Sequence, residues 1–515
     1  MESEDAIFSV VGAPAPRCWW DPVYETVSIF RPLSQASCVV LIGAETMKDQ
    51  NKSRSKSKKS ELLHAPRPDA AGIDIGATEI WVAVGPDRSE EPVRRFGAFT
   101  EDLQALLQWL QACGIGSVAM ESTGLYWIGL YQLLADAGFE VCLVNARHVK
   151  NVPGRKSDVR DCQWLQYLHS VGLLRASYRP RQEVCAVRSL YRFRADLLVQ
   201  SGQHIQKIQG ALDQMNMKLH HVIDDLSGVT GQAIIEAILK GERDPLELAK
   251  HRHHCIKASQ EIIVKSLQGD WRSEHLFVLR LSWENWRQVQ QQIQKCDQEL
   301  WHYTRQLEAA TVITRPVKIV SLNPQPGSLT PLAQPKRSRK KTSKNEPAGP
   351  WRAELQRFFG VDLTLIPGIS VLTGITLMSE LGNDLKAFKT AQHFSSWLCL
   401  CPDNDTSARK VLRRSTRRSQ NRLRQALRVA ASTLHHEKGY LGDSYRRLRA
   451  KLGAPKAITA MAHKLARIIW HLITHQVPFD LSIFAAEEKA HQSRRLKSLC
   501  SAARQMGFKL TPLAA

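Results

Sequence analysis

The 515-residue sequence has no apolar run near the ~18 residues that a bilayer span needs; its longest, such as Cys38 to Ala44, stop far short. A membrane-spanning protein is therefore not expected. It has no Cys-x-x-Cys pair and no regular cysteine framework, and its 11 cysteines are an odd number, which reads as reduced thiols in a cytosolic compartment. The amino terminus, Met-Glu-Ser-Glu-Asp, carries acid where a secretory signal needs base, so export is not expected. Tandem repeats of solenoid length are missing. Acid itself is scarce: 49 Asp and Glu face 71 Lys and Arg, a net charge of +22. That balance implies a polyanionic partner, with nucleic acid first and an anionic membrane surface a distant second.

What is present is a chain long enough for about three or four domains, with 43% hydrophobic residues to give each a core. The charge is concentrated. Lys52 to Lys59 holds five basic residues, Lys336 to Lys344 six and Arg409 to Arg428 nine, all without acid. The remainder is close to neutral, so nucleic-acid binding belongs to particular segments.

Residues 1–68 form an unassigned extension ending in a Ser/Lys/Arg-rich basic tail, with Met47 as a possible internal start. From Asp69 the texture becomes compact α/β. Ala71 to Val84 reads as strand, turn and strand, Val93 to Phe99 as a third strand, and Glu101 to Ala112 as an amphipathic helix closed by Gly114. Ser117 to Met120 and Glu140 to Asn145 are short apolar runs typical of buried strands, separated by a helix through Leu130 and Leu134 that ends at Gly138. This α/β domain spans 69–180.

Residues 181–322 are helix-rich. Leu279, Ser282, Trp286, Val289, Ile293, Cys296, Leu300, Tyr303 and Leu307 alternate by three and four, the spacing of a coiled-coil arm or of one long helix packed within its own domain. A Pro-rich basic linker follows over 323–350, then a mostly helical domain over 351–475 and a polar tail over 476–515.

Three motifs in the α/β domain carry acids. Gly72-Ile73-Asp74-Ile75-Gly76 puts a carboxylate in the middle of an apolar strand, where burial is costly without a cation or donors. Glu121 ends another apolar strand in Met120-Glu121-Ser122-Thr123. In Ser157-Asp158-Val159-Arg160-Asp161 two acids three apart open a helix and share one face. Four converging carboxylates repel one another unless divalent cations lie between them, and hard oxygen ligands favour Mg²⁺ or Mn²⁺, ions suited to phosphoryl transfer. Each motif alone also fits a cap or a surface turn; the combination within one segment is what points to a metal site.

In the second half, Leu365-Ile366-Pro367-Gly368-Ile369 between apolar helical patterns reads as a helix-hairpin-helix whose turn at Pro367 and Gly368 leaves backbone N–H groups for a phosphate. Further on, Pro402-Asp403-Asn404-Asp405-Thr406-Ser407 runs into the Arg-rich window. A hydroxyl beside Arg409, Lys410, Arg413, Arg414, Arg417 and Arg418 is well placed to meet a phosphodiester. Cys399 with Cys401, and His251, His253, His254 with Cys255, lack the paired spacing of a zinc site.

Gly-Ile-Asp-Ile-Gly, Met-Glu-Ser-Thr-Gly, Val-Asn-Ala-Arg-His-Val-Lys and Pro-Gly-Arg-Lys-Ser-Asp-Val-Arg-Asp together resemble the DEDD transposases of bacterial insertion sequences, over most of the chain from about Met47 to His475. The resemblance implies a ribonuclease-H or RuvC-like amino-terminal domain in an α/β plus all-α chain. It implies a metal-binding catalytic tetrad of Asp74, Glu121, Asp158 and Asp161. It implies that Ser407 is the nucleophile joined covalently to DNA. Its implied partners are donor and target DNA, a structured non-coding guide RNA and further copies of the chain in a dimer or tetramer; the setting is the bacterial cytoplasm and nucleoid. One departure stands out: the family usually has Ser-Gly-Gly-Lys where this chain has Ser407-Ala408-Arg409-Lys410, which restricts the backbone there. The rival readings are a RuvC-like endonuclease using water, with no covalent intermediate, and a nucleic-acid-binding copy without activity. An actin-like sugar kinase, suggested by Gly-Ile-Asp-Ile-Gly-Ala-Thr, lacks its downstream phosphate and adenosine motifs.

Overall fold

The computed structural model describes residues 67–122, 124–145, 158–309, 345–407, 410–417, 419–480 and 484–508. The basic runs Lys52 to Lys59 and Lys336 to Lys344, as well as Met47, Arg409 and Arg418, lie outside the described residues. For Asp158, Arg413 and Arg414 only the backbone is described. The chain divides into two units between Ser177 and Tyr178.

The first unit is built on β1 (Ala70–Ile75), β2 (Glu79–Ala83), β3 (Val93–Gly97), α1 (Thr100–Ala112), β4 (Ser117–Glu121), α2 (Trp127–Asp136), β5 (Glu140–Val144) and α3 (Asp158–Ser170). The five strands line up in the order β3-β2-β1-β4-β5. The β1–β2 and β2–β3 pairs are antiparallel, and β1–β4 and β4–β5 are parallel. Parallel neighbours need a crossover, which α1 and α2 supply. Strand alternation then sorts the side chains. Ile73, Ile75, Val82, Met120 and Leu143 pack with Leu106, Leu110, Leu130 and Leu134 on the face covered by α1 and α2. Ala119, Cys142 and Val144 face the other way, with Leu174 against them. Gly114 and Gly138, which close the two crossover helices, both take positive φ, at 63° and 88°. Such a mixed sheet with helices is compatible with a ribonuclease-H-like domain.

In the second unit, α4 (Gln182–Gln214), α5 (Leu219–Val222), α6 (Val229–Lys240), α7 (Pro245–Ala249), α8 (Gln260–Ser266) and α9 (Ser273–Gln306) come first. The two long helices pair antiparallel. Ile208 and Leu212 share a cluster with Leu279, Trp283 and Trp286, Leu197 meets Val289, Ile293 and Cys296, and Val184 and Val187 share a cluster with Leu300 and Leu307. The seam expected on α9 is thus filled by α4 of the same chain. The pair is pinned by the Arg194–Asp297 ion pair, whose guanidinium is 3% exposed. One seam position differs: Tyr303 is exposed and Thr304 is buried, its hydroxyl donating to the Leu300 carbonyl at 2.7 Å. Arg357 holds this last turn by donating to the carbonyls of Thr304 and Leu307 at 3.2 and 3.0 Å.

The remaining elements are α10 (Trp351–Phe359), α11 (Val371–Leu381), α12 (Ala391–Trp397), β6 (Pro402–Ser407), β7 (Lys410–Thr416), α13 (Arg422–Thr433), α14 (Tyr440–Leu452), α15 (Ala454–His475) and α16 (Ala485–Gln505). Trp351, Phe358, Phe359, Ile375, Leu427, Leu465 and Ile469 build one core that also takes in Val184, Val187, Leu300 and Leu307. The roots of the long helices therefore belong to this core. Arg188 and Arg192 complete the joint by pairing with buried Glu380 at 3.3 and 2.7 Å. Residues read as a polar tail include the helix α16. No described helix is long and apolar enough to cross a membrane.

Candidate active site

Asp74 and Glu121 are brought together by sheet register. The parallel β1–β4 ladder pairs Gly72 with Ala119 and Ile73 with Met120. One step further the same offset sets Asp74 beside Glu121, on strands about 4.8 Å apart. Ile73 and Met120 point into the core, so alternation turns both acids to the opposite face, that of α3. Both are partly buried. They lie at the carboxyl ends of parallel strands, where open α/β sheets hold their ligands.

The run of α3 brings further carboxylates to the same edge. A Cβ on Gly72 would lie 2.3 Å from the Cys162 carbonyl oxygen and 2.2 Å from the Gln166 nitrogen, so the helix backbone rests directly on β1. Gln166 donates to the Ala70 carbonyl at 3.3 Å, and further along, His169 Nε2 meets Ser117 Oγ at 2.7 Å. Later helix residues meet earlier strand residues, so α3 runs antiparallel to β1. Its first turn, with Asp158 and exposed Asp161, falls at the Asp74–Glu121 end. Acids in a first turn are favoured by the helix dipole. Between them the Cys162 thiol is fully buried. Burial pushes it up to about 12, and the negative charges of Asp74 and Asp161 add to the rise, so both acids act on one buried atom. Asp74, Glu121 and Asp161 offer oxygen donors partly open to solvent, the donor type that a hard divalent cation takes; their carboxylates are not gathered within 4.8 Å of one another.

Ser407 belongs to the second unit. It lies in a two-stranded antiparallel hairpin in which Ser407 pairs with Lys410; Ala408 and Arg409 lie outside the described residues. Ser407 and Lys410 are exposed. The Arg-rich window has two jobs. Arg417 donates to the carbonyl and hydroxyl of Ser396 at 2.7 and 2.8 Å, and Arg424 donates to the Arg417 carbonyl and to Thr416 Oγ1 at 3.1 and 3.2 Å. These two arginines tie the hairpin's exit to α12 and α13, a structural role that the charge run concealed. Arg422, like Lys410, faces solvent.

The Pro367–Gly368 turn follows a single 3-10 turn, Leu363–Leu365, and leads into α11. Gly368 takes φ +88°, and a Cβ there would lie 2.6 Å from the Ala430 carbonyl oxygen. Glycine is thus required by packing against α13. Ser370 caps α11 by accepting from the Thr373 N–H at 3.2 Å.

The family model for DEDD transposases, described as "Transposase", matches residues 71–217, and a second, described as "Transposase IS116/IS110/IS902 family", matches residues 362–446. Both matches support an IS110-type DEDD transposase. It is also similar to the protein named "Putative transposase y4pF/y4sB" of Sinorhizobium fredii (strain NBRC 101917 / NGR234), 34% identical over 122 residues, which is 22% of this chain and 30% of that relative. The match thus spans about a third of the relative's length.

Proposed function

We propose that the protein cuts and rejoins DNA strands as the transposase of its insertion sequence. The observation that carries this reading is the convergence of Asp74, Glu121 and the first turn of α3 on one edge of the sheet. Asp74, Glu121, Asp158 and Asp161 would hold Mg²⁺ or Mn²⁺, which supplies charge stabilisation to a phosphodiester as it gains negative charge. Ser407 Oγ attacks phosphorus, forming an Oγ–P bond as the bond to one deoxyribose oxygen breaks. The serine loses its proton and the departing oxygen gains one. Attack by a hydroxyl of a different strand then reverses the step and frees the serine, so bond energy is conserved without an external source. Lys410, Arg413, Arg414, Arg422 and, outside the described residues, Arg409 and Arg418 would hold the DNA backbone, with the Pro367–Gly368 turn as a further phosphate contact.

The tetrad and the serine fall in different units, and we read the working form as a homo-oligomer, a dimer or tetramer. A structured RNA encoded by the element would pair with donor and target DNA, as the family resemblance implies. A reaction quenched in denaturant should yield DNA linked to Ser407, and Ser407→Ala should abolish both adduct and strand transfer. Strand transfer unchanged in Ser407→Ala would remove the serine from the chemistry, and cleaved ends without an adduct would favour water as nucleophile.

A further inference from the structure

The acid edge carries two exposed apolar side chains that the chemistry above does not use. Leu125 is 67% and Tyr126 57% exposed. They sit in the turn between β4 and α2, four and five residues beyond Glu121. The turn is fixed: Trp127 Nε1 donates to the Gly124 carbonyl and the Ile128 N–H to the Leu125 carbonyl, both at 3.2 Å. Gly124 takes φ +56°, and a Cβ there would lie 3.5 Å from the Tyr126 ring, so the aromatic plane rests over the glycine. At the opposite end Arg67 pairs with Glu140 at 2.8 Å and Ser117 with His169 at 2.7 Å, a polar closure.

An exposed leucine and an exposed tyrosine beside a set of carboxylates suit a ligand with both a phosphate and a flat apolar face. A nucleotide has both. We propose that Leu125 and Tyr126 form a stacking subsite for an unpaired DNA base, next to the phosphate held at Asp74 and Glu121. This rests on the proposed function for its ligand. The base leaves its duplex stack and lies on the Tyr126 ring, with Leu125 as the neighbouring apolar wall. Every base offers a π face, so the subsite favours open DNA without choosing sequence.

The test uses the full-length chain with Ser407→Ala, in which no covalent step intervenes, and 2-aminopurine-labelled DNA, either fully paired or with a short unpaired bubble. The parent should bind the bubble about tenfold more tightly than the paired duplex, the scale expected of one stacked base, and quench the 2-aminopurine. Adding Tyr126→Ala should bring the two affinities within about twofold and abolish the quench, with paired-duplex binding retained; Tyr126→Phe should keep the preference. A preserved bubble preference in Tyr126→Ala overturns the proposal. So does equal loss on both DNAs accompanied by a changed sedimentation profile, which would make the patch a protein interface. Neither result depends on whether Ser407 is the nucleophile.

Discussion

The acid edge and the serine hairpin are positioned by opposite means. Asp74 and Glu121 inherit their places from a parallel ladder, and α3 is seated on β1 through backbone contact at Gly72. Ser407 stands on a two-stranded ribbon of mostly polar sequence, tied at its base by Arg417 and Arg424. Such a ribbon without a third strand is marginal on its own. Under the proposed function the contrast has a use: carboxylates that share an ion need fixed places, while a nucleophile that meets one strand and then passes it to another gains from a lightly held mount.

Substitutions should separate the two regions. Gly72→Ala should have the largest effect, because its Cβ meets backbone atoms that cannot rotate away; we expect a loss of roughly 1–3 kcal/mol in stability and a large fall in metal-dependent cleavage, read by thermal melting and by strand transfer. Normal activity with a normal melting temperature would show that the acid edge is as tolerant as the hairpin. A smaller effect of opposite sign is expected in the double variant Ala408→Gly, Arg409→Gly. A two-residue connection between paired Ser407 and Lys410 favours turn types with positive φ, which glycine adopts without strain. Adduct formation should rise by about two- to tenfold, the equivalent of ~0.4–1.4 kcal/mol, with melting nearly unchanged.

The smallest effect concerns pH. Burial, followed by the Arg67 charge, lowers the folded His169 below its ordinary value. The unfolded chain then binds the proton more readily, so stability should fall as pH drops below ~6.5 toward the folded value and be retained above it. His169→Gln should flatten that slope in acid melting curves without changing DNA binding. A slope unaltered in the variant would assign the acid sensitivity elsewhere.

The first unit was legible because its strands are short apolar runs closed by Gly114 and Gly138, and because acids interrupt those runs at Asp74 and Glu121. Pattern could not reveal that Gly72, adjacent to the acid motif, is the seat of α3; that emerges only when helix and strand are placed together. The β6–β7 hairpin was not legible at all. Pro402-Asp403-Asn404-Asp405-Thr406-Ser407 has neither alternation nor strand propensity, and its strand form depends on pairing with β7. On α9 the periodicity located the buried seam but could not name its partner. It chose Tyr303 because the three-and-four alternation runs through 303, whereas the packed face shifts to Thr304, whose hydroxyl is satisfied within its own turn.

The antiparallel pairing of α4 and α9 has a topological consequence. These helices are 33 and 34 residues long, a rod of about 50 Å at 1.5 Å per residue. The chain leaves the second unit's core along one and returns along the other. Everything from Met215 to Arg272 is therefore an excursion at the far end of a strut, with its own core around Ile234, Ile235 and Trp283. Residues can be added to or removed from that excursion without altering the strand order that places the acids or the core that carries the serine hairpin.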